Sequence, residues 1–389
     1  MQSLRSWRSF SAPFLRICRR SYSESSSSLP PLPPPEEWSK TFDVTNTNRD
    51  RACVKNPETA RLLANSFLGD TSSVGGEGKI VIETFPGPGA LSRALLELPR
   101  SKIRKLIILE DHPEYLQHLK VLEKADSRVQ VVPYSGHVWD TYSYLEDAGL
   151  LSDVQIWPWE SGLHPNLHFI SHLQRSVKGE QLIAQLFRCI PDRTWLYKFG
   201  RVPMSFVMSE WVWTRIASSP SKQTRCKLSV IAEATAQCRY AMDRALLQPY
   251  ETHFHPVVMR SSSKKSPVRK VGYPFVALNI IPHADQIIDK GLLEKWDYCL
   301  RRLFVLKGTP LKRAISSLAP GASSLLKTLT DPSLPPEQRL NPNVPPRGLT
   351  VADWALIVRA FDQWPFAPED LLVHDGFDTR QGSNNMVVI

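Results

Sequence analysis

The sequence predicts an α/β fold, in which a mostly parallel sheet is followed by a smaller all-α region. Residues 79–93 (KIVIETFPGPGALSR) form a β-branched run that breaks into a glycine- and proline-rich turn and then a helix-forming stretch. Residues 105–111 (KLIILED) form a second apolar run that ends in two acids. Strand, glycine turn, helix and acid-terminated strand in this order are typical of the start of a nucleotide-binding α/β sheet. After Pro282 the patterns indicate helices only.

The glycine turn predicts a nucleoside ligand. Glycines let the backbone approach a ligand closely, and the acid that ends the second strand can accept hydrogen bonds from ribose hydroxyls. The PGPG loop is not a GxGxxG motif, and the spacing is shorter than in a dinucleotide fold, so S-adenosylmethionine fits better than NAD. Proline and glycine are also common in ordinary loops, so the alternative is a turn that binds no ligand.

Composition narrows the choice of partners. The net charge of +10 and the pI near 9.3 favour a polyanionic partner, nucleic acid first and a membrane surface second. A basic surface that serves only solubility is the alternative. The six cysteines include no CxxC pair and no Cys/His cluster at metal-ligand spacing, so no metal is expected. No apolar run reaches the ~18 residues of a membrane span, so no membrane partner is expected.

The N-terminus has the composition of a mitochondrial transit peptide, because arginines and serines are interspersed with apolar residues and no acid precedes Glu24. A basic disordered terminus is the alternative. A Ser/Pro-rich stretch follows, which has no means of packing a core. These shifts predict a transit peptide (1–22), a Ser/Pro-rich disordered linker (23–48), an α/β domain (49–283), a helical nucleic-acid-binding domain (284–375) and a flexible tail (376–389).

The individual elements follow from apolar periodicity. Residues 56–68 predict a helix with Pro57 in its first turn and with Leu62 in its apolar stripe. Residues 227–236 mix strand and helix signals. Further strands are predicted to begin at Ile80, to cover 129–132 and 273–281, and to lie within 195–207. Further helices are predicted over a stretch ending at Leu186 and over 210–216, 286–305, 310–318 and 322–329. The last predicted helix covers 350–363, with Thr350 as its cap.

Taken in order, these segments resemble the rRNA adenine N(6)-dimethyltransferase family, whose mitochondrial branch includes transcription factor B. The helix at 56–68 resembles the family's first helix, and Glu83 with PGPGALS at 86–92 resembles its motif I. Residues 166–169 (NLHF) resemble its catalytic Asn-Leu-Pro-Tyr tetrad. Further similar segments are 208–215, 228–230, 254–256 and the pair Arg301-Arg302. The resemblance implies a Rossmann-like S-adenosylmethionine-dependent methyltransferase sheet with a smaller all-α C-terminal domain.

The resemblance also implies site residues. The cofactor-binding positions are Glu83, Gly87, Gly89, Glu110 and Ser135, and Glu110 occupies the place of the acid that binds the ribose. Asn166 and Phe169 are the implied catalytic residues, which would hydrogen-bond and stack the target adenine. An enzyme that methylates this base must first flip it out of its stack.

Departures from the family pattern weaken the cofactor side. Arg51-Ala52 stands where the family has Gln-His or Gln-Asn, and Phe85 replaces the first glycine of motif I. Ser135 replaces the motif III aspartate, and His168 replaces the proline of the tetrad. A phenyl ring where bare backbone normally adjoins the cofactor blocks the pocket or moves the loop. We therefore expect S-adenosylmethionine binding to be weak or lost, and efficient catalysis to be absent.

Basic residues are the candidates for contacts with nucleic-acid phosphates. These residues are Arg260, Lys264, Lys265, Arg269 and Lys270 in a loop, and Arg301, Arg302, Lys307, Lys312 and Arg313 in the helical domain. Trp296, Tyr298 and Phe304 are nearby candidates for stacking on unpaired bases. A solvated helix face above core aromatics is the alternative.

The function implied by the resemblance is that of a mitochondrial transcription initiation factor, a monomer in the matrix. It would help a mitochondrial RNA polymerase to recognise and melt promoters and would bind the single-stranded non-template strand. One alternative is an active mitochondrial small-subunit rRNA adenine dimethyltransferase. Another is an assembly factor that binds small-subunit rRNA without modifying it. Cofactor binding separates the enzyme from the other two.

Overall fold

A mostly parallel sheet lies at the centre of the α/β region. The computed structural model describes residues 29–68, 78–257 and 274–371. Within these residues the strands are β1 (Cys53–Val54), β2 (Lys79–Thr84), β3 (Ile103–Leu109), β4 (Val129–Val132), β5 (Leu167–His172), β6 (Met204–Ser209), β7 (Ala236–Tyr240), β8 (Phe254–His255) and β9 (Phe275–Pro282).

The sheet contains seven of these strands in the order β4-β3-β2-β5-β6-β9-β7. The first five are parallel to one another, and β9 lies antiparallel between β6 and β7. β1 and β8 form a separate antiparallel pair. The chain builds outward from β2 through β3 and β4 and then returns to place β5 on the other side of β2. Open α/β sheets bind ligands outside the carboxyl ends of the strands at such a reversal.

Helices cover both faces of this sheet and form the C-terminal region. They are α1 (Trp38–Thr41), α2 (Pro57–Leu68), α3 (Ala90–Glu97), α4 (Pro113–Ala125), α5 (Trp139–Asp147), α6 (Val177–Arg188), α7 (Glu210–Ile216), α8 (Lys227–Thr235), α9 (Tyr250–His253), α10 (Leu293–Val305), α11 (Leu311–Ala314), α12 (Leu325–Leu329) and α13 (Val351–Asp362). Because both faces are covered, β2 is buried at every position, as expected for a central parallel strand.

Two hydrophobic clusters hold the described residues together. One lies on the face of the sheet shared with the C-terminal helices and includes Ile82 of β2, Trp296 of α10 and Trp354 of α13. The other packs α2, α3 and α4 on the opposite face and includes Trp38 and Phe42. Both of these rings are 1% exposed, so part of the predicted linker at 23–48 is anchored on the core, contrary to expectation.

Most predicted elements are present, and the α/β fold class is confirmed. The strand at Val129–Val132 and the helix at Glu210–Ile216 have the predicted bounds. The ambiguous stretch at 227–236 is the helix α8, followed at once by β7, an edge strand that the sequence did not predict. The helix expected from residue 286 begins only at Leu293. The stripe of α2 was predicted to include Leu62, but this side chain is 45% exposed.

The predicted cap of the last helix is confirmed. The Thr350 hydroxyl accepts a hydrogen bond from the Asp353 backbone N–H at 3.1 Å, and the Asp353 carboxylate accepts one from the Thr350 backbone N–H at 2.8 Å. This reciprocal pair is a capping box, which satisfies two otherwise unpaired donors of the first turn.

Candidate cofactor site at the carboxyl edge of the sheet

The candidate site lies where the carboxyl ends of β2, β3 and β5 meet. The loop after β2 contains Phe85, Gly87 and Gly89, and all three have positive φ angles (59°, 65° and 90°). At Gly87 a side chain has no room, because a Cβ atom would lie 2.2 Å from Cys53 Sγ. Phe85 is a bulky residue in a conformation that favours glycine, so the surrounding contacts must hold it there.

Arg51 forms a buried ion pair with Glu110, the acid after β3. The two side chains are 5% and 0% exposed, and Arg51 Nη1 and Nη2 donate to Glu110 Oε1 at 2.8 and 2.5 Å. The same oxygen accepts hydrogen bonds from the backbone N–H groups of Asp111 (3.0 Å) and His112 (2.9 Å). The other oxygen, Oε2, accepts one from Gly87 N–H at 3.2 Å. Four donors therefore converge on Oε1 of the predicted ribose-binding residue.

Aromatic rings enclose the guanidinium of this ion pair. The Arg51 Cζ atom lies 4.9 Å from the centre of the Phe85 ring and 6.0 Å from that of Tyr115. The Phe85 ring is 1% exposed, and its centre is 4.5 Å from that of the His137 ring. Cation–π contacts of this kind are stronger when the cation is desolvated. Phe85 and Arg51 thus fill the space beside Glu110 with side chains of this chain.

Burial sets the protonation behaviour of the pair. Burial raises the pKa of Glu110 to about 7, and the Arg51 charge and backbone N–H groups oppose that rise. Burial works against the charged form of Arg51 as well, but Glu110 and Asp111 raise the pKa of Arg51 above its usual value. Burial lowers the pKa of His137 to about 4, so a neutral imidazole packs against Phe85.

The N-terminal segment carries Arg51 into this position, and Arg175 after β5 holds the segment there. Arg175 is 1% exposed, and its Nη2 atom donates to the carbonyl oxygens of Arg49 (2.8 Å) and Arg51 (3.3 Å). The backbone N–H of Arg175 also donates to the Asp50 carbonyl at 2.7 Å. Arg175 belongs to none of the motifs visible in the sequence, although it follows β5 at the edge where ligands bind.

The other predicted cofactor residues serve internal contacts at the same edge. Glu83 is fully buried, and its Oε2 atom accepts a hydrogen bond from the Ser92 hydroxyl at 2.6 Å. The Nε2 atom of His172, the last residue of β5, is 3.5 Å from Glu83 Oε1. Ser135 follows β4, and its carbonyl accepts a hydrogen bond from the Thr141 hydroxyl at 2.8 Å.

Asn166 and Phe169 do not reach this site, which corrects their assignment as the base-binding pair. Asn166 precedes β5, and its carbonyl accepts a hydrogen bond from Ile80 at the start of β2. Phe169 lies inside β5, is fully buried, and packs edge-on against Trp195 at 4.9 Å. β5 ends at His172, so Asn166 lies about 20 Å from the carboxyl edge.

The predicted phosphate contacts divide into three groups. The loop residues Arg260, Lys264, Lys265, Arg269 and Lys270 lie outside the described residues. Arg301 pairs with the buried Asp297 carboxylate at 3.1 Å, and Arg302 donates to the Ser317 carbonyl at 2.7 Å, so both make intramolecular contacts. The side chains of Lys307, Lys312 and Arg313 are exposed.

The predicted base-stacking aromatics belong to the core instead. Trp296 and Tyr298 are 1% and 6% exposed, and the Tyr298 ring stacks on that of Phe361. Phe304 stacks on the buried Trp354 with ring centres 5.4 Å apart. These rings therefore stabilise the helical region, and the alternative of core aromatics is correct.

Neither a metal-binding cluster nor a membrane-spanning helix is present in the described ranges. No group of three or more His, Cys, Asp or Glu side chains in them is arranged to hold a metal ion. No helix in the same ranges is long and apolar enough to cross a membrane.

The order of the sheet and the glycine loop at its reversal define the class of protein, a Rossmann-like methyltransferase fold. The family model described as ribosomal RNA adenine dimethylase matches residues 63–341, more than half of the chain. The chain therefore belongs to the ribosomal RNA adenine dimethylase family, as the resemblance of its motifs predicted.

Similar proteins include members with different names. Mitochondrial transcription factor 1 of Saccharomyces paradoxus is 27% identical over 75% of this chain and 82% of its own length. Mitochondrial dimethyladenosine transferase 1 of Xenopus tropicalis is 28% identical over 53% of this chain and 55% of its own. Among solved structures, a dimethyladenosine transferase from Plasmodium falciparum gives a TM-score of 0.49 at 14% identity, covering 80% of this chain and 97% of that one. The relatives' names confirm the predicted mitochondrial location.

Proposed function

We propose that this chain is a mitochondrial transcription initiation factor on an rRNA adenine dimethylase scaffold, and that its own side chains close the cofactor site. It helps a mitochondrial RNA polymerase to recognise and melt promoters, and it binds the single-stranded non-template strand. Similarity supports this function, because the yeast transcription factor matches 75% of the chain and the Xenopus transferase 53%. The net charge of +10 suits a nucleic-acid partner.

The observation that carries the proposal is the buried Arg51–Glu110 pair. The resemblance implies that the acid at this position holds the cofactor's ribose, but its Oε1 atom already accepts four hydrogen bonds. A ribose would have to displace Arg51 from Glu110 and leave this buried cation with only the half-exposed Asp111 carboxylate, 3.1 Å from Arg51 Nη2. Loss of the buried partner costs several kcal/mol. The residues present at this position do not fit S-adenosylmethionine.

Phe85 adds a second obstacle to the cofactor. Its ring is buried between the Arg51 guanidinium and His137, in the loop whose backbone the family leaves bare. The ring would have to leave this contact before a nucleoside could approach the loop. Each hydrogen bond that a ligand then fails to make in a closed pocket costs about 1–3 kcal/mol.

The placement of Asn166 and Phe169 leaves the candidate site without the base-binding pair that the sequence predicted. Methyl transfer requires a flipped base held in line with the methyl donor. The predicted base-binding pair lies at the amino end and in the middle of β5, away from the edge that holds Glu110. Residues that held a flipped base beside the cofactor would have to follow His172, at the carboxyl end of β5.

The two alternatives make different demands on the molecule. An active small-subunit rRNA dimethyltransferase needs an open cofactor site; the Xenopus relative is named a mitochondrial dimethyladenosine transferase. A non-catalytic rRNA assembly factor needs no cofactor, and it differs from the proposed function in preferring a structured rRNA hairpin to melted promoter DNA.

Calorimetric titration with S-adenosylmethionine tests the closed site. We expect no saturable heat from the wild-type protein, and a measurable affinity from Phe85→Gly combined with Arg51→Gln, because this pair of changes removes the ring and the cation. Arg61→Gln, on an exposed face of α2, is the charge-matched control and should behave like the wild type. Micromolar binding to the wild-type protein would overturn the closed site and favour the active dimethyltransferase.

A further inference from the structure

A basic hollow opens at the amino edge of the sheet, opposite the candidate cofactor site. Its volume is about 260 Å³, and it is lined by Arg104, Lys105, Ser127, Arg128, Val129, Gln130 and Asp153. We propose that this amino-edge hollow binds phosphate groups of a nucleic-acid strand. This site goes beyond the proposed function, because it is separate from the cofactor edge and from the basic residues of the C-terminal region.

The hollow lies where β3 and β4 begin. Arg104 and Lys105 are the second and third residues of β3, and Val129 is the first residue of β4. β3 ends at Leu109, directly before Glu110, so a full strand length of about 20 Å separates the hollow from the Arg51–Glu110 pair. A strand bound at the hollow therefore does not compete with the cofactor edge.

Positive charge is concentrated around this edge. Residues 99–105 read PRSKIRK and contribute four cations and no acid. Lys79, at the start of the neighbouring β2, has its pKa lowered to about 8, first by burial and then by the charge of Lys102. The Asp126 carboxylate, the acid before the hollow, accepts hydrogen bonds from Arg128 Nη2 at 2.7 Å and Nε at 3.1 Å. Asp153 is the acid that lines the hollow, against three cations.

The lining provides donors that intramolecular contacts do not use up. The Arg104 Nη2 atom donates to the Asp153 carbonyl at 3.1 Å, but its Nε atom is buried without a hydrogen-bond partner. The Lys105 ammonium has three donors, and the contact that fixes it is to the Leu150 carbonyl at 2.7 Å. A guanidinium group and an ammonium group that line the same hollow can both donate hydrogen bonds to the oxygens of one phosphate.

Arg128 supplies fixed charge rather than a free donor. Besides its contacts with Asp126, its guanidinium donates to the carbonyl oxygens of Leu96 (2.6 Å) and Leu98 (3.0 Å). These contacts leave it 8% exposed and hold it in one place. Asp126 offsets much of this charge, so Arg104 and Lys105 make the phosphate contacts beside a wall that is already ordered. A preordered wall lowers the entropic cost of binding.

The lining also indicates what kind of contact is made. No aromatic side chain is among the residues that line the hollow. Stacking on bases, which needs such rings, is therefore not provided here, and the contact is to the sugar–phosphate backbone. Binding at the hollow should position a strand without reading its sequence.

Salt-dependent binding of a fluorescein-labelled single-stranded DNA to the full chain tests the proposal. Arg104→Gln combined with Lys105→Gln should weaken binding and reduce the slope of log K against log salt by roughly 0.7 for each lost phosphate contact. Lys120→Gln with Lys222→Gln, two exposed lysines elsewhere, is the charge-matched control and should keep the wild-type slope. An RNA of the same sequence, and competition by inorganic pyrophosphate, show which phosphate source is preferred.

Either of two results would overturn the proposal. One is an unchanged slope for the hollow variant with both DNA and RNA. The other is an equal reduction in the control, which would mean a general charge effect. Thermal unfolding checks that the double variant is folded. If it is not, Lys105→Gln alone, which leaves the Arg104 contacts in place, should give about half of the slope change.

Discussion

Arg51 places a cation beside Glu110, the carboxylate that follows β3 at the ligand edge. The pair joins residues 59 positions apart in the chain and ties the N-terminal segment to the end of β3. A buried pair adds little stability compared with an apolar substitute, but removal of one partner leaves the other charge uncompensated. The energetic role of Arg51 is therefore best seen when it alone is removed.

Arg51→Met should lower the free energy of unfolding by about 3 kcal/mol or more near pH 8, and by less near pH 5. The pKa of Glu110 is about 7 in the folded chain against an ordinary 4.5, so folding favours its protonated form. The raised pKa of Glu110 stabilises the folded chain fully below pH 4.5, the ordinary pKa of a glutamate. This stabilisation is lost as the pH rises through about 7, the pKa of Glu110 in the folded chain. Without Arg51 the folded pKa rises further, so the deficit of the variant grows with pH.

Chemical denaturation at the two pH values measures this effect. Arg61→Met removes an arginine whose ion pairs are half exposed, and it should cost less than about 1 kcal/mol at both. An Arg51→Met deficit that is small, or that does not change with pH, would contradict the coupling between the two buried groups.

The residues of this site were only partly predictable from the sequence. The departures at Arg51 and Phe85 were visible beside the motifs of the family. Their contact with each other and with Glu110 was not, because it depends on how the N-terminal segment packs across the edge. The assignment of Asn166 and Phe169 was wrong because the tetrad was matched by letters alone. Recognition of β5 would have placed any such motif after His172.

At the scale of elements, the loop after β2 depends on a close approach of its backbone to β1. Gly87→Ala places a Cβ atom 2.2 Å from the Sγ atom of the buried Cys53, in a backbone with φ of +65°. Gly149 is a matched control, because its φ is +66° and nothing lies within 4 Å of the position of a Cβ. An alanine at either site has the same backbone strain, but only the alanine at position 87 also clashes with a neighbouring side chain.

We expect Gly149→Ala to lower the free energy of unfolding by about 1 kcal/mol, the cost of a left-handed alanine. Gly87→Ala should cost about 1–3 kcal/mol more, the usual penalty for overpacking a core. Denaturant unfolding of both variants gives the difference. Equal losses would mean that the loop and β1 do not approach each other so closely.

Elements with strong local signals were predicted well, and the others required the tertiary structure. β4 and α7 have the predicted bounds, because apolar residues and turn signals define both of them locally. β7 was missed since it is an edge strand with three of its five positions exposed, which gives no apolar run. Trp38 and Phe42 were placed in a linker because the prolines around them indicate no regular element, whereas their burial depends on distant partners.

At the scale of the whole molecule, the fold has two edges with opposite character. The carboxyl edge, where the family places its cofactor, is filled by Phe85 of the loop after β2 and by Arg51 with the N-terminal segment around it. The amino edge is basic and open. This distribution agrees with our proposal that the chain binds a charged strand over its surface and that its own side chains close the cofactor site.

Promoter opening in the presence of mitochondrial RNA polymerase tests this account most directly. The assay uses a promoter duplex with 2-aminopurine in the non-template strand, whose fluorescence rises when the bases unstack. We predict a rise when polymerase and this chain are both present, and none with either alone or on addition of S-adenosylmethionine to either. The account would be contradicted if the chain gave no opening and bound a small-subunit rRNA hairpin more tightly than the melted promoter.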